Sequence, residues 1–147
     1  MIDKCAFQNC RFKQIKIPPS VQKIDDSAFK YCSNLESFDL DKKSQLKSLG
    51  NCVFYNAKIK SIMITSQYDE IGNKCFESVN NLETIEISKD NELFSNINNG
   101  LLLTENDSKS SSFDVLIFVR YSLDIVIIPP YVKYISMSAF ISHPSYI

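Results

Sequence analysis

The apolar positions of this chain fall in short alternations that keep coming back. In Leu35-Glu36-Ser37-Phe38-Asp39-Leu40 the apolar residues are Leu35, Phe38 and Leu40, with polar residues between them. The Phe38/Leu40 alternation has the period of a strand with one buried face. Equivalent triplets are Phe12/Ile15/Ile17, Ile59/Ile62/Ile64 and Leu82/Ile85/Ile87. Before each triplet stands a small residue followed by Phe: Ala6-Phe7-Gln8-Asn9-Cys10, Ala28-Phe29-Lys30-Tyr31-Cys32, Val53-Phe54-Tyr55-Asn56-Ala57 and Cys75-Phe76-Glu77-Ser78-Val79. The aromatic returns at Phe140. Its fixed place predicts that it fills the interior of each unit, and the length of the unit suits one turn of helix or 3-10 helix.

The strand ends Ile17, Leu40, Ile64 and Ile87 are 23, 24 and 23 residues apart. A period in the low twenties predicts a solenoid, because one such strand cannot bury its apolar face alone. Stacking rungs about 4.8 Å apart pairs the strands in parallel and buries a continuous column. Some rungs add a return segment. Ile17-Pro18-Pro19-Ser20-Val21-Gln22-Lys23-Ile24 recurs as Ile128-Pro129-Pro130-Tyr131-Val132-Lys133-Tyr134-Ile135. The Pro pair lacks N–H donors and fixes φ, so it ends the strand and sets the turn. Ile24, Leu49, Ile71 and Ile135 are then expected to hold equivalent inward positions.

Residues 88–124 depart from the rung. Phe94-Ser95-Asn96-Ile97-Asn98-Asn99-Gly100-Leu101-Leu102-Leu103 carries an Asn-Gly turn signal, and residues 113–119 read as the return strand of a hairpin. Residues 105–112 between them are polar and Ser-rich and read as a flexible loop. The expected organisation is a single domain over 1–147: regular rungs at 3–87, a hairpin-type insertion at 88–124 and an incomplete last rung at 125–147.

The pattern I-P-x-S-V-x-x-I-x-x-x-A-F-x-x-C-x-x-L-x-x-I-x-L, matched at nearly every position by residues 17–40, resembles the BspA-type (Treponema pallidum-type) leucine-rich repeat. The resemblance implies a right-handed leucine-rich-repeat solenoid, β-rich. It would have one parallel sheet of short strands on the concave side, short helical or 3-10 turns and one β-hairpin insertion. Such repeats are typical of bacterial and protozoan surface proteins. The resemblance therefore implies a non-catalytic interaction or adhesion module at a cell surface or in a secreted protein, with a protein or host-surface ligand. The alternatives are a structural spacer, or an intracellular self-associating repeat protein. The chain begins and stops partway through a rung without polar caps, so self-association through uncapped ends is expected.

Composition narrows this further. Apolar residues make up 44% of the chain, enough for a core, and the net charge of -1 predicts no general attraction to nucleic acid or anionic membrane. The longest apolar stretches, 115–119 and 125–128, fall far short of the roughly 20 residues a membrane helix needs. Met1-Ile2-Asp3-Lys4-Cys5 has no apolar core of a signal peptide. The three glycines leave no glycine-rich phosphate loop.

Candidate chemistry is sparse, and no catalytic residue or cofactor is expected. The five cysteines, Cys5, Cys10, Cys32, Cys52 and Cys75, include no C-x-x-C pair, so a zinc signature is absent. Cys10 and Cys32 share a column continued by Ala57 and Val79. The five cysteines read as buried free thiols that fill small apolar positions, with a Cys10–Cys32 bridge as the geometric alternative. His143, the only histidine, reads as a polar filler rather than a base or ligand. Asn106-Asp107-Ser108 is a glycosylation sequon that matters only in a secreted chain.

The surface pattern is more informative. Lys13, Glu36, Lys60 and Glu83 are predicted to stand side by side on successive strands, and Lys16, Asp39, Met63 and Glu86 to form a second file. Gln14, Ser37, Ser61 and Thr84 lie between them. Two readings stand: a charged recognition face, made of those eight residues, or a solvated sheet whose alternating signs fix rung order.

Overall fold

A computed structural model describes residues 1–97, 100–104, 113–120 and 123–140. Its strands in chain order are β1 (Gln14–Ile17), β2 (Lys23–Ile24), β3 (Ser37–Leu40), β4 (Ser48–Leu49), β5 (Ser61–Ile64), β6 (Glu70–Ile71) and β7 (Thr84–Ile87). They are followed by β8 (Phe94–Ile97), β9 (Leu101–Thr104), β10 (Val115–Val119) and β11 (Tyr134–Ile135). Each regular rung gives one four-residue strand, and the first three add a two-residue return strand. β1 pairs with β3 and β5 with β7, in parallel, while β2, β4 and β6 form a second parallel sheet. The single parallel sheet expected from the sequence is thus replaced by two strand files, and the longer file is itself divided between β3 and β5.

The Phe column holds the stack together. Phe7, Phe29, Phe54 and Phe76 lie ring over ring at 5.2, 5.8 and 6.0 Å, with planes within 12° of parallel. Phe38 meets both Phe29 and Phe54 edge-on, at 5.7 and 4.9 Å. Phe76 then hands the column on to Phe118 of β10 at 5.4 Å. Around the rings the inward residues Ile17, Ile24, Leu35, Leu49, Ile62 and Ile64 are essentially inaccessible, which is the burial that offsets the chain entropy of ordering the rungs.

The Phe-bearing units are not helical. Among the described residues they run as overlapping turns, with two non-glycine residues per unit at φ between 55° and 62°: Cys5 and Asn9, Ser27 and Tyr31, Cys52 and Asn56, Lys74 and Ser78. The reason lies in where the N–H groups go. Those of Ser27, Phe29 and Tyr31 donate to the carbonyls of Asn51, Val53 and Tyr55 in the next rung, at 2.8 to 3.0 Å. A helix would direct those donors along its own axis and leave the neighbouring rung's carbonyls unpaired.

Side chains extend this ladder. Asp26 Oδ1 accepts the N–H of Asn51 at 2.7 Å, and Asn51 Oδ1 accepts that of Asn73 at 2.9 Å. The rungs come so close here that a Cβ on Gly72 would collide with the Gly50 carbonyl carbon and lie 2.6 Å from the Asn51 nitrogen.

The hairpin forms as expected. β8 and β9 are antiparallel, β10 pairs antiparallel with β9, and β11 returns to parallel pairing on β10. The 105–112 loop, the sequon at Asn106 and His143 lie outside the described residues. One inward assignment needs correcting. Ile24 and Leu49 are buried and Ile71 half-buried, but Ile135 is 50% exposed. β11 is paired on one side only, with β10, and among the described residues no strand lies on the other side.

Candidate interaction face

Among the described residues the strand register joins the predicted second file in two halves, with no pairing between Asp39 and Met63. Gln14 pairs with Ser37 and Lys16 with Asp39 across β1 and β3; Ser61 pairs with Thr84 and Met63 with Glu86 across β5 and β7. One step earlier in each rung, the N–H of Glu36 donates to Lys13 O at 2.8 Å. That of Lys60 donates to Glu36 O at 3.1 Å, and that of Glu83 to Lys60 O at 2.8 Å. Lys13, Lys16, Lys60, Met63, Glu83 and Glu86 are exposed, and Glu36 and Asp39 half-buried.

The electrostatics differ along the face. Lys60 Nζ donates to Glu36 Oε2 at 2.6 Å. This contact holds the Glu36 carboxyl below, and the Lys60 ammonium above, their ordinary ranges. Asp39 is held differently. It accepts from Ser37 Oγ and Gln14 Nε2, each at 2.6 Å, and these two hydrogen bonds keep its carboxyl low. Lys16 stands beside it in the register without closing an ion pair among the described residues.

Between β3 and β5 the ladder stops, and a groove opens. One part, about 160 Å³, is lined by Phe38, Asp39 and Leu40 on one side and by Ser61, Ile62 and Met63 on the other, with Glu86 beyond. The adjoining part, about 340 Å³, shares Met63 and Glu86 and adds residues that include Lys42, Thr65, Ser88 and Asp90. The turn that leaves β3 is longer than its counterparts. Five residues separate Leu40 from Leu46, against three between Ile17 and Val21 and three between Ile64 and Tyr68. The extra length folds into its own turn, with Ser44 N–H on Asp41 O and Lys43 N–H on Asp41 Oδ1, both at 2.9 Å. The repeat alone points to the file residues, whereas Lys42 of this longer turn lines the groove.

On the Phe-bearing turns, away from these files, a second feature escaped the sequence reading. Tyr31 sits at φ 62°, where the equivalent residues are Asn9, Asn56 and Ser78. Its ring meets Tyr55 edge-on at 5.5 Å, and Lys30 Nζ lies 5.0 and 4.7 Å from the two ring centres. These contacts offset the strain of a bulky left-handed residue.

All five cysteines are free thiols, but only Cys32 and Cys75 are buried. Cys10 and Cys52 are half-buried and Cys5 is exposed, which corrects the expectation of five buried fillers. Cys5 and Cys52 take the left-handed turn position, beside rather than inside the core. Burial pushes the Cys32 thiol up to about 12 and raises the Cys75 thiol as well. Among the described residues no three His, Cys, Asp or Glu side chains gather closely enough to hold a metal ion.

The repeat architecture is shared with known proteins. The family described as BspA type leucine rich repeat region matches residues 1–106 in 6 copies. Over 92% of this chain, a leucine rich cell surface protein from Faecalibacterium prausnitzii A2-165 is 25% identical and superimposes with a TM-score of 0.80. The pneumococcal vaccine antigen PcpA covers 87% of the chain at 19% identity and a TM-score of 0.77. A leucine-rich repeat protein from Eubacterium ventriosum ATCC 27560 covers 95% at 23% identity and 0.69. The chain spans 34%, 31% and 41% of those three chains. No curated protein matches the sequence.

Proposed function

The chain belongs to the BspA type leucine rich repeat region family, and we propose that it is a non-catalytic binding module that engages a protein on a cell surface through the long-strand face. The observation that carries this reading is the ordered set of exposed files on β1, β3, β5 and β7. Lys16, Asp39, Met63 and Glu86 stand on the strands themselves, and Lys13, Glu36, Lys60 and Glu83 stand at the residue that enters each strand, tied rung to rung by backbone hydrogen bonds. Rigid presentation lowers the entropy cost of binding. The Faecalibacterium protein described as a cell surface protein supports the surface setting. No described helix is long and apolar enough to cross a membrane.

The test is adhesion. Beads that carry the chain should adhere to cultured epithelial cells well above blank beads, and neutralising Lys13, Lys60, Glu83 and Glu86 should remove most of that excess while the thermal melt is unchanged. Adhesion no better than blank beads would favour the spacer reading.

A second reading has its own observation. Ile125, Ile127, Tyr134, Ile135 and Met137 are all at least half exposed and lie on the last described rung. A patch of this kind marks an association surface, and it supports self-association of this chain. Sedimentation should show oligomers that dissociate in the Ile127→Asp/Ile135→Asp variant; a monomer at high concentration would rule this out.

A further inference from the structure

We propose that the groove between β3 and β5 is a pocket for a cationic side chain, most suitably the guanidinium of an arginine in an extended segment of the partner protein. The proposal rests on the reading of the long-strand face as the binding face and gives that face a specific contact.

Four observations meet there. The first is space: among the described residues the strand pairing of β1, β3, β5 and β7 is interrupted between β3 and β5, while β2, β4 and β6 pair without a break. The second is charge. Asp39, Glu86 and Asp90 line the groove against a single cation, Lys42. Among the described residues none of the three carboxylates closes an ion pair. Asp39 is anchored by the neutral donors Ser37 and Gln14, and Lys16 stands beside it in the register without closing an ion pair. By contrast Glu36, a few residues away on the same face, is already engaged by Lys60.

The third observation is Thr65, which lines the adjoining part of the groove, is 8% exposed, and has a hydroxyl oxygen without a hydrogen-bond partner among the described residues. A buried polar atom left this way carries a desolvation cost that a donor entering the groove would relieve. The fourth is shape. Met63 and Ile87 give the groove apolar wall, which suits the methylene stem of a long cationic side chain, whose head would reach the carboxylates. A guanidinium has five donors in a planar fork and meets two acceptor groups at once, which favours arginine over lysine. A bare divalent ion fits less well, because no three carboxylates here come close enough to hold one.

The experiment is a titration of the isotope-labelled chain with a blocked glycine–serine peptide about seven residues long bearing one central arginine, followed by amide chemical shifts. The same peptide with citrulline, neutral and nearly isosteric, is the control. Saturable shifts are expected at Asp39, Ser61, Met63, Thr65, Glu86 and Asp90, with the citrulline peptide at least tenfold weaker. The Asp39→Asn/Glu86→Gln variant should lose the response while keeping its dispersed spectrum. A Glu36→Gln variant, altered outside the groove, should retain it. Equal shifts from the citrulline peptide, shifts spread over the whole surface, or no saturable shift in the groove would overturn the proposal. The adhesion comparison does not depend on this result, so the wider face can stand as the binding face while the arginine pocket falls.

Discussion

Asn91 Nδ2 donates to the backbone carbonyl of Thr65 at 2.7 Å and to that of Tyr68 at 3.1 Å, so one amide closes the turn of the preceding rung. Its Oδ1 accepts the N–H groups of Leu93 and Phe94 at 2.9 and 3.0 Å. A single buried side chain thus satisfies four backbone groups where the regular rungs give way to the hairpin. Asn91→Leu should cost roughly 2–4 kcal/mol, because it leaves several buried polar groups unpaired. Urea unfolding of the two proteins measures it, and a loss under about 0.5 kcal/mol would contradict the role.

Tyr68 predicts a change of the opposite sign. It occupies the inward column of Val21 and Leu46, is 1% exposed, and its hydroxyl has no hydrogen-bond partner among the described residues. Burial raises its ionisation well above the ordinary tyrosine value. Tyr68→Phe removes the orphaned hydroxyl and keeps the ring, so the variant should be as stable as the parent or more stable by about 1 kcal/mol. A marked loss of stability would show that the hydroxyl has a partner in solution.

Thiol labelling resolves the cysteines into classes. At pH 8 in the native state Cys5 should react first, Cys10 and Cys52 more slowly, and Cys32 and Cys75 only after denaturation. With its thiol near 12, Cys32 has on the order of a thousandfold less thiolate than an ordinary cysteine. Mass spectrometry of the labelled peptides gives the order. Denaturant without reductant should expose five thiols.

The carboxylates set the acid limb of stability. Asp39 and Glu36 both have folded values below their ordinary ones. Their contribution is therefore present above the unfolded values, near 4, and is lost as pH falls through the lower folded values. Lys60 is shifted upward, so its contribution is present below its ordinary value, near 10.4, and is lost as pH rises through the folded one. Thermal melts from pH 2 to 11 should fall at both ends. Glu36→Gln should flatten both limbs, and Asp39→Asn the acid limb alone.

Much of this was legible in the residues. The strand register and the Phe column follow from spacing, because a stack that sets one aromatic per rung in a single column admits only one alignment of Phe7, Phe29, Phe54 and Phe76, although Phe7 at the first rung is 36% exposed rather than interior. The turn conformation was only faintly legible: Asn9 and Asn56 are residues that tolerate a left-handed backbone, but Cys5, Ser27, Tyr31 and Lys74 adopt it too and carry no such signal. The direction of inter-rung hydrogen bonding decides it instead. The groove had one available sign, the two extra residues after Leu40, which a repeat alignment treats as a tolerated insertion. The Asp26, Asn51 and Asn73 positions sit in register too, but polar residues at turns are common enough to hide a ladder.

The most direct test of the account exchanges the charges of one file. Lys13→Glu, Glu36→Lys, Lys60→Glu and Glu83→Lys together keep the alternation along the strands, and with it rung order, but invert the pattern a partner would read. If the long-strand face is the recognition surface, the exchanged chain melts at nearly the parent temperature and loses at least tenfold in cell adhesion. If it adheres like the parent, the files are only a solvated device for stacking order, and the binding role assigned to them is wrong.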